Sequence, residues 1–199
     1  QAERGFSFMQ DGPLDMRMDN SKGLTAAEWL LEVEEEDLAN IIYQYGEERY
    51  SRRIARAIKQ AGKLDTTAQL AEIVKTAHPK WEKHKHPATR TFQAIRIAIN
   101  KELDDIEVFL PQAVDLLKPK GRLSVISFHS LEDRLIKQFI QKESTLEEDS
   151  GWGMPQQQKD TRRLKKISRV RASEEEVKAN PRSRSAWLRV AERLEQKGA

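Results

Sequence analysis

Side chains capable of stacking, proton transfer and anion binding are concentrated between Glu3 and Asp19. Two phenylalanines could stack on a planar ring, and Arg17 could pair with Asp15 or Asp19 or reach a phosphate. An ordered loop with internal ion pairs and buried Phe side chains explains the segment equally well. We take Asp15 as a candidate proton acceptor, and the candidate substrate-binding residues here are Arg4, Phe6, Phe8, Asp11, Pro13, Arg17 and Asp19.

A second candidate site follows the run RLSVISF, which ends at Phe128. The β-branched run predicts a buried strand, and the residues after it begin a helix. Open α/β sheets bind ligands at this edge, where free helix N–H groups favour anions. His129 is therefore a second candidate proton acceptor, with positioning of the substrate as its alternative role, and Ser127, Phe128 and Ser130 are candidate substrate-binding residues. Simple capping by Ser130, worth about 1 kcal/mol, is the structural alternative.

Basic residues are concentrated in three groups that could contact a polyanion: Arg49–Lys59, Lys80–Arg90 and Lys159–Arg171. His86 and Arg90 belong to a His-rich basic segment that also contains Trp81, and Asn180, Arg182 and Arg184 lie in a predicted turn. No carboxylate or cysteine completes a metal site around the histidines, so we predict none. A charge stripe is often only a solvated helix face; the stripe predicted here comprises Arg49, Arg52, Arg53, Arg56 and Lys59.

Composition predicts a folded, soluble protein. The 199 residues carry a net charge of +3 and no cysteine, which excludes disulfides and thiolate chemistry. No apolar run approaches the roughly 20 residues of a membrane span, and the start does not resemble a signal peptide. The nine glycines form neither GxGxxG nor a phosphate loop.

Periodicity predicts helices, then strands alternating with helices. A long helix over 92–117, or two in sequence, has a predicted kink near Pro111, and a polar loop spans 144–161. We expect an ordered loop at 1–23, a helical domain at 24–86 and an α/β domain at 87–199. The other predicted helices are Thr25–Val33, Glu35–Tyr45, 48–61, Thr67–Ala77 and 131–142. The predicted strands are Arg122–Phe128, Ile167–Arg171 and Ala186–Leu194. A turn region at 174–184 separates the last two strands.

Five long stretches, in order, resemble the MraW methyltransferase family. They are ERGFSFMQDGPLDMRMD, YGEERYSRRIARAI, HPATRTFQAIRIAIN, GRLSVISFHSLEDRLIK and NPRSRSAWLRVAER. The resemblance implies the second half of a class I methyltransferase: a Rossmann-like, doubly wound α/β sheet with a small all-helical domain inserted into it. It also implies methyl transfer from S-adenosylmethionine to N4 of a cytidine in the ribosomal decoding region. The expected partner is small-subunit ribosomal RNA or the small ribosomal subunit, in the cytoplasm, and a homodimer is one expected assembly.

One departure from the family pattern concerns the methyl donor. Family members carry a glycine-rich strand-turn and an acidic ribose-binding position ahead of the ERGFSF stretch, and the 199 residues contain neither. We therefore expect no cofactor-binding residues in this chain and little activity from the chain alone. A half-sheet would also leave an exposed edge.

Cytosine N4 is a poor nucleophile, so an enzyme must unstack the base, orient the amine and accept a proton or hydrogen bond. The candidate residues above suit that task. Two alternatives remain at this point: a non-catalytic RNA-binding module built from the helical domain and half-sheet, and a purely structural helical partner domain. A strand followed by a Gly-rich turn and an acidic residue upstream would favour the enzyme.

Overall fold

The computed structural model describes residues 2–80, 86–146 and 160–195. Within these residues the chain forms eight α-helices and three strands, an α/β composition, in two compact units, Gln1–Glu102 and Leu103–Ala199. The division differs from the boundary expected at residue 86, because the helix that follows that residue packs into the first core. No helix in the described ranges is both long and apolar enough to cross a bilayer.

The first unit contains five helices: α1 (Ala26–Glu32), α2 (Glu35–Gly46), α3 (Ser51–Ala61), α4 (Thr67–Ala77) and α5 (Ala88–Asn100). The predicted capping box of α1 is confirmed, since Thr25 and Glu28 bond reciprocally. Thr66 forms the same arrangement with Gln69 at α4. The third helix begins three residues later than the predicted 48.

Aliphatic residues at helical spacing build the core of the first unit. Leu38 and Ile42 of α2 and Ile95 of α5 are fully buried, together with apolar residues of α3 and α4. Gly46 lets α2 approach α5 closely, because a Cβ there would lie 2.7 Å from the Arg90 carbonyl oxygen. This contact holds α5 in the helical unit.

Of the two alternatives predicted for residues 92–117, two helices in sequence is confirmed. α5 ends where Lys101 adopts a left-handed conformation (φ 52°), and α6 then runs over Glu102–Leu116. Pro111, expected to mark the kink, lies inside α6. Lys101, which is neither glycine nor proline, therefore separates the two helices.

The second unit contains β1 (Arg122–Ser127), α7 (Ser130–Ser144), β2 (Leu164–Arg171), α8 (Glu174–Ala179) and β3 (Trp187–Arg193). β3 lies between β1 and β2 and is antiparallel to both, with a register shift between Lys166 and Ser168. The region predicted as a turn holds α8 and a short 3-10 helix (Pro181–Ser185). Most of the predicted loop 144–161 lies outside the described residues.

The sheet of the second unit has one apolar face packed on helices. Leu123, Leu164 and Ala191 are buried there, in one cluster with residues of α6 and α7. The opposite face carries the cross-strand row Ile126, Leu188 and Val170, of which Ile126 is 57% and Val170 48% exposed. The prediction of a buried strand is therefore confirmed for one face of β1 only, since its residues alternate between the core and the surface.

Candidate functional site

The N-terminal loop is pinned to the start of α4. Asp11 Oδ1 accepts hydrogen bonds from the backbone N–H groups of Ala68 and Gly12, both at 3.0 Å. The Ala68 N–H is the main cause of the lowered pKa of Asp11. Pro13 forms a bridge with Thr66. Asp11 and Pro13, predicted to bind substrate, thus hold the loop in place.

Asp15 and Arg17 form a two-point ion pair. The Arg17 Nε and Nη2 atoms lie 2.7 and 2.9 Å from the two Asp15 carboxylate oxygens. The hydrogen bond from Arg17 is the main cause of the lowered pKa of Asp15, which makes this carboxylate a weak base at neutral pH. Arg4 donates to the carbonyl oxygens of Arg17 and Met18. The proton-acceptor role of Asp15 stays a prediction, and the observed contacts match the ordered-loop alternative.

The remaining candidates of this loop divide between interior and surface. The Phe8 ring contacts His86 in a tilted arrangement and Phe92 edge to face, with ring centroids 4.6 and 4.9 Å apart, so the loop reaches the start of α5. Phe6 is half-buried beneath the Arg4 guanidinium. Asp19 is exposed; hydrogen bonds from Ser21 lower its pKa to about 2. Trp81 and His84 lie outside the described residues.

A buried charged group in the first unit had no sequence signal. Glu48 is 1% exposed, and its Oε2 lies 3.3 Å from His78 Nε2 and 3.5 Å from Arg90 Nη1. The Tyr50 N–H donates to the other Glu48 oxygen at 2.9 Å. Arg90, predicted to bind substrate, is therefore engaged with a buried carboxylate. The partners are 30 and 42 residues away from Glu48 along the chain, so no local spacing indicates the group.

The predicted basic stripe of α3 divides into structural and exposed members. Lys59 Nζ donates to the carbonyl oxygens of Leu30, Leu31 and Val33 at 2.7–3.0 Å, which caps the end of α1. Arg56 pairs with Glu35 at 3.5 Å. Arg49, Arg52 and Arg53 are exposed and make no ion pair within the described part of the chain.

The edge predicted from RLSVISF lies where β1 ends and α7 begins. His129, rather than Ser130, is the N-cap: its Nδ1 accepts from the Glu132 N–H at 3.4 Å. Its Nε2 lies 3.3 Å from Glu132 Oε1 without a well-aligned hydrogen bond. Both ring nitrogens therefore face Glu132, and proton acceptance by His129 stays a prediction. Phe128 is 59% exposed at this edge.

Glu132 completes this cap. Its Oε2 accepts the backbone N–H groups of Phe128 and His129 at 2.8 and 3.3 Å. Burial raises the pKa of Glu132, but the adjacent His129 side chain and the hydrogen bond from the Phe128 N–H outweigh it and lower the pKa overall. The carboxylate is thus held ionised, which suits the helix dipole.

Next to this cap, Asp133 anchors an arginine cluster. Arg189 holds its carboxylate through two hydrogen bonds of 2.7 and 2.9 Å, and these are the main cause of its lowered pKa. Ser127, 2% exposed, has its hydroxyl 3.4 Å from the same carboxylate. Arg169 lies 3.9 Å from Asp133 and 3.4 Å above the Trp187 ring centroid. Arg171 stacks on the same ring at 4.4 Å.

The cluster carries three arginines, Arg169, Arg171 and Arg189, against one aspartate. Strand pairing aligns them, since Arg169 is opposite Arg189 and Arg171 is opposite Trp187. An excess of guanidinium groups around an indole suits a phosphate or a nucleic-acid backbone. Sequence analysis placed Arg169 and Arg171 in the basic group Lys159–Arg171 but named neither of them, nor Arg189, as a site residue.

The predicted turn residues Asn180, Arg182 and Arg184 precede β3. Asn180 caps the 3-10 helix by accepting the Arg182 N–H at 3.2 Å, which confirms a turn-forming contact. Arg182 and Arg184 are exposed. Their substrate-binding role stays a prediction.

The arginine cluster is poorly suited to S-adenosylmethionine. Its sulfonium is a cation, whereas the cluster at the end of β1 has a surplus of arginines. A cleft of about 430 Å³ in the second unit lies at the other end of β1, and its lining combines the basic Lys120, Arg162 and Arg193 with the acidic Asp160, Glu192 and Glu195. Open α/β sheets bind ligands at the carboxyl ends of their strands, whereas this cleft lies at the amino end of β1.

Comparison with known proteins identifies the family. The model of the MraW methylase family matches residues 1–194, so this chain belongs to the MraW methylase family. The chain is 99% identical over 199 residues to the ribosomal RNA small subunit methyltransferase H of an Acinetobacter baumannii strain. It is 90% identical over 194 residues to the protein of that name from Acinetobacter baylyi, and 56% identical over 192 residues to that from Psychrobacter cryohalolentis.

The comparison also shows how much of these relatives the chain represents. The alignments cover 100%, 98% and 96% of the chain, respectively, but 65%, 64% and 56% of the relatives. The chain thus spans between 56% and 65% of the length of these three curated relatives.

Proposed function

We propose that this chain is the acceptor-side portion of an enzyme that transfers a methyl group from S-adenosylmethionine to N4 of a cytidine in small-subunit ribosomal RNA. The family match over residues 1–194, together with the names of its near-identical relatives, carries the proposal. Cytoplasmic location, action on ribosomal RNA or the small subunit, and homodimer formation belong to the same proposal.

In the proposed architecture, the three-stranded sheet is one part of a larger Rossmann-like sheet. β1 pairs only with β3 among the described residues, so its other edge has backbone groups free for a further strand. The helical unit would be the inserted domain. The compatible α/β composition of the chain supports this architecture.

At the end of β1, each group has a proposed task. Arg169 and Arg171 would hold a phosphate of the RNA, since guanidinium groups bind phosphate oxygens in a two-point geometry. Asp133 fixes Arg189 and keeps the neighbouring Arg169 oriented. Phe128, exposed beside this cluster, would stack on the unstacked cytosine and restrict the orientation of its amine.

The test uses the full-length Acinetobacter baumannii relative with small ribosomal subunits that lack the modification. After incubation with S-adenosylmethionine carrying a labelled methyl group, the RNA is digested to nucleosides and analysed by mass spectrometry. We expect labelled N4-methylcytidine. Label on another nucleoside, or none, would contradict the proposal.

A pair of aromatic variants tests the proposed site. Phe128→Ala should lower kcat/KM by about ten-fold or more, since stacking on a base contributes about 1–3 kcal/mol. Phe109→Ala removes a comparably exposed phenylalanine from α6 and should leave the rate unchanged. Equal rates for both variants would exclude Phe128 from the site. RNA binding without any methyl transfer would instead favour a non-catalytic RNA-binding module.

A further inference from the structure

The first unit carries a cleft between α2 and α3 that the site at the end of β1 does not include. Its volume is about 510 Å³, within the range of about 300–1,000 Å³ for small-molecule sites. Ala39 and Ser51, both buried, contribute to its lining. The other lining residues are Asn40, Tyr43, Arg49, Tyr50, Arg52 and Arg53.

Two tyrosines give the cleft an aromatic surface. The Tyr43 side chain is 61% exposed, although it lies one residue after the fully buried Ile42. Tyr50 is half-buried, with the Arg49 guanidinium 4.6 Å from its ring centroid. An exposed tyrosine ring in a concave surface has a free face on which a nucleobase can stack.

The charge of the cleft has one sign. Three of its eight lining residues are arginines and none is acidic. Arg52 and Arg53 form no ion pair in the described ranges, whereas Arg56, one turn further along α3, pairs with Glu35. Because cations are unfavourable in the first turn of a helix, the stability of α3 does not account for Arg52 and Arg53.

We propose that this cleft binds one unpaired nucleotide of an RNA strand, separate from the cytidine to be methylated. The base stacks on Tyr43, and the Asn40 amide is available to its polar edge. The phosphate lies between Arg52 and Arg53. This inference rests on the proposed function, because an RNA substrate is what makes a nucleotide the expected ligand.

Two other occupants have a weaker basis. A purely solvated arginine stripe would not require an exposed aromatic ring within a cleft of nucleotide size. An acidic peptide would satisfy the arginines but would leave the Tyr43 ring without a planar partner. Stacking therefore distinguishes RNA from both alternatives.

The experiment measures binding by the 199-residue chain to a fluorescein-labelled single-stranded RNA of about 12 nucleotides, a length within known single-strand site sizes. Fluorescence anisotropy at constant low salt compares the wild type with Tyr43→Ala, Tyr43→Phe, the double variant Arg52→Ala/Arg53→Ala, and Arg56→Ala. Tyr43→Phe keeps the stacking ring, and Arg56→Ala removes an arginine of the same helix that does not line the cleft.

Tyr43→Ala should weaken binding by about ten-fold, and Tyr43→Phe should bind like the wild type. The double arginine variant should bind at least about ten-fold more weakly, with Arg56→Ala close to wild type. Equal binding by Tyr43→Ala and Tyr43→Phe would overturn the proposal. It would also be overturned if an RNA duplex or a polyglutamate peptide competed as well as unlabelled single strands.

Photocrosslinking of the unmodified chain provides a readout that does not depend on variant folding. RNA containing 4-thiouridine should crosslink to the peptide that carries Tyr43 or Tyr50, and crosslinks confined to other peptides would overturn the proposal. Neither experiment requires methyl transfer. RNA binding in the cleft without methylation would therefore refute only the proposed function, and methylation without an effect of Tyr43→Ala on binding would refute only the cleft.

Discussion

Asp133 of α7 and Arg189 of β3 are joined by two parallel hydrogen bonds, Nε–Oδ1 at 2.7 Å and Nη2–Oδ2 at 2.9 Å. Their side chains are only 13% and 12% exposed, so water screens this pair weakly. The contact ties the start of the helix to the middle strand. It therefore couples the stability of the second unit to the arrangement of its arginine cluster.

Replacing Asp133 with Asn should lower the free energy of unfolding by about 2 kcal/mol, because it leaves Arg189 without its anionic partner. Urea denaturation measures the change. Glu195→Gln is the control, since Glu195 pairs with Lys120 at the surface, where both side chains are more than half exposed. The control should change stability by less than about 1 kcal/mol. Similar losses of unfolding free energy in both variants would show that the Asp133–Arg189 pair stabilises the protein no more than a surface pair does.

The same carboxylate predicts a pH dependence of stability. The folded-state pKa of Asp133 lies below its ordinary value of 3.8, mainly because Arg189 donates to it. Its contribution is therefore fully present above about pH 4 and is lost as the pH falls through the folded-state pKa. The stability difference between wild type and Asp133→Asn should shrink in acid. A difference that stays constant from neutral pH to pH 2 would show that ionisation of Asp133 is not involved.

Lys59 should prove structural rather than RNA-binding. Lys59→Met removes three charge-assisted hydrogen bonds to the end of α1 and should cost about 1.5–3 kcal/mol of unfolding free energy. Lys63→Met, at an exposed lysine paired with Asp65, should cost far less. RNA affinity of the folded Lys59→Met variant should fall no more than that of the control. A selective loss of affinity would restore the RNA-contact role predicted from the stripe.

RNA binding should depend on salt through the arginine cluster. Removing one phosphate contact by Arg171→Ala should reduce the slope of log affinity against log salt by roughly 0.7–1. Arg171→Lys keeps the charge and should retain most of the slope. Arg122→Ala, at an exposed position at the other end of the sheet, serves as the matched control. Identical slopes for Arg171→Ala and wild type would exclude Arg171 from phosphate contact.

Local signals predicted the helices well and their termini less well. Thr25 and Glu28 predicted the start of α1, because a capping box is a contact between neighbours in sequence. The break at Lys101 was missed because a left-handed lysine has no compositional signal. The strand at Leu123 was expected to be buried, but its run of apolar residues could not reveal that the Ile126 side chain lies on the open face.

The sequence indicated where the strand-helix junction of the candidate site lies, but not which side chains pair there. The strand-helix junction at Ser127 and His129 was visible from the change in periodicity, and a capping alternative was considered there. The partners of Asp133 were not visible, because Arg189 is 56 residues away along the chain and only the sheet register brings it near. The same limitation hid the group formed by Glu48 and Arg90.

Titration of the 199-residue chain with S-adenosylmethionine in a calorimeter tests most directly whether these residues form the acceptor side of the enzyme without its donor site. The surplus of arginines around Asp133 predicts no saturable heat of binding, while the same preparation binds single-stranded RNA. Binding of S-adenosylmethionine with micromolar affinity by this chain alone would contradict the proposal that the donor site lies outside these 199 residues.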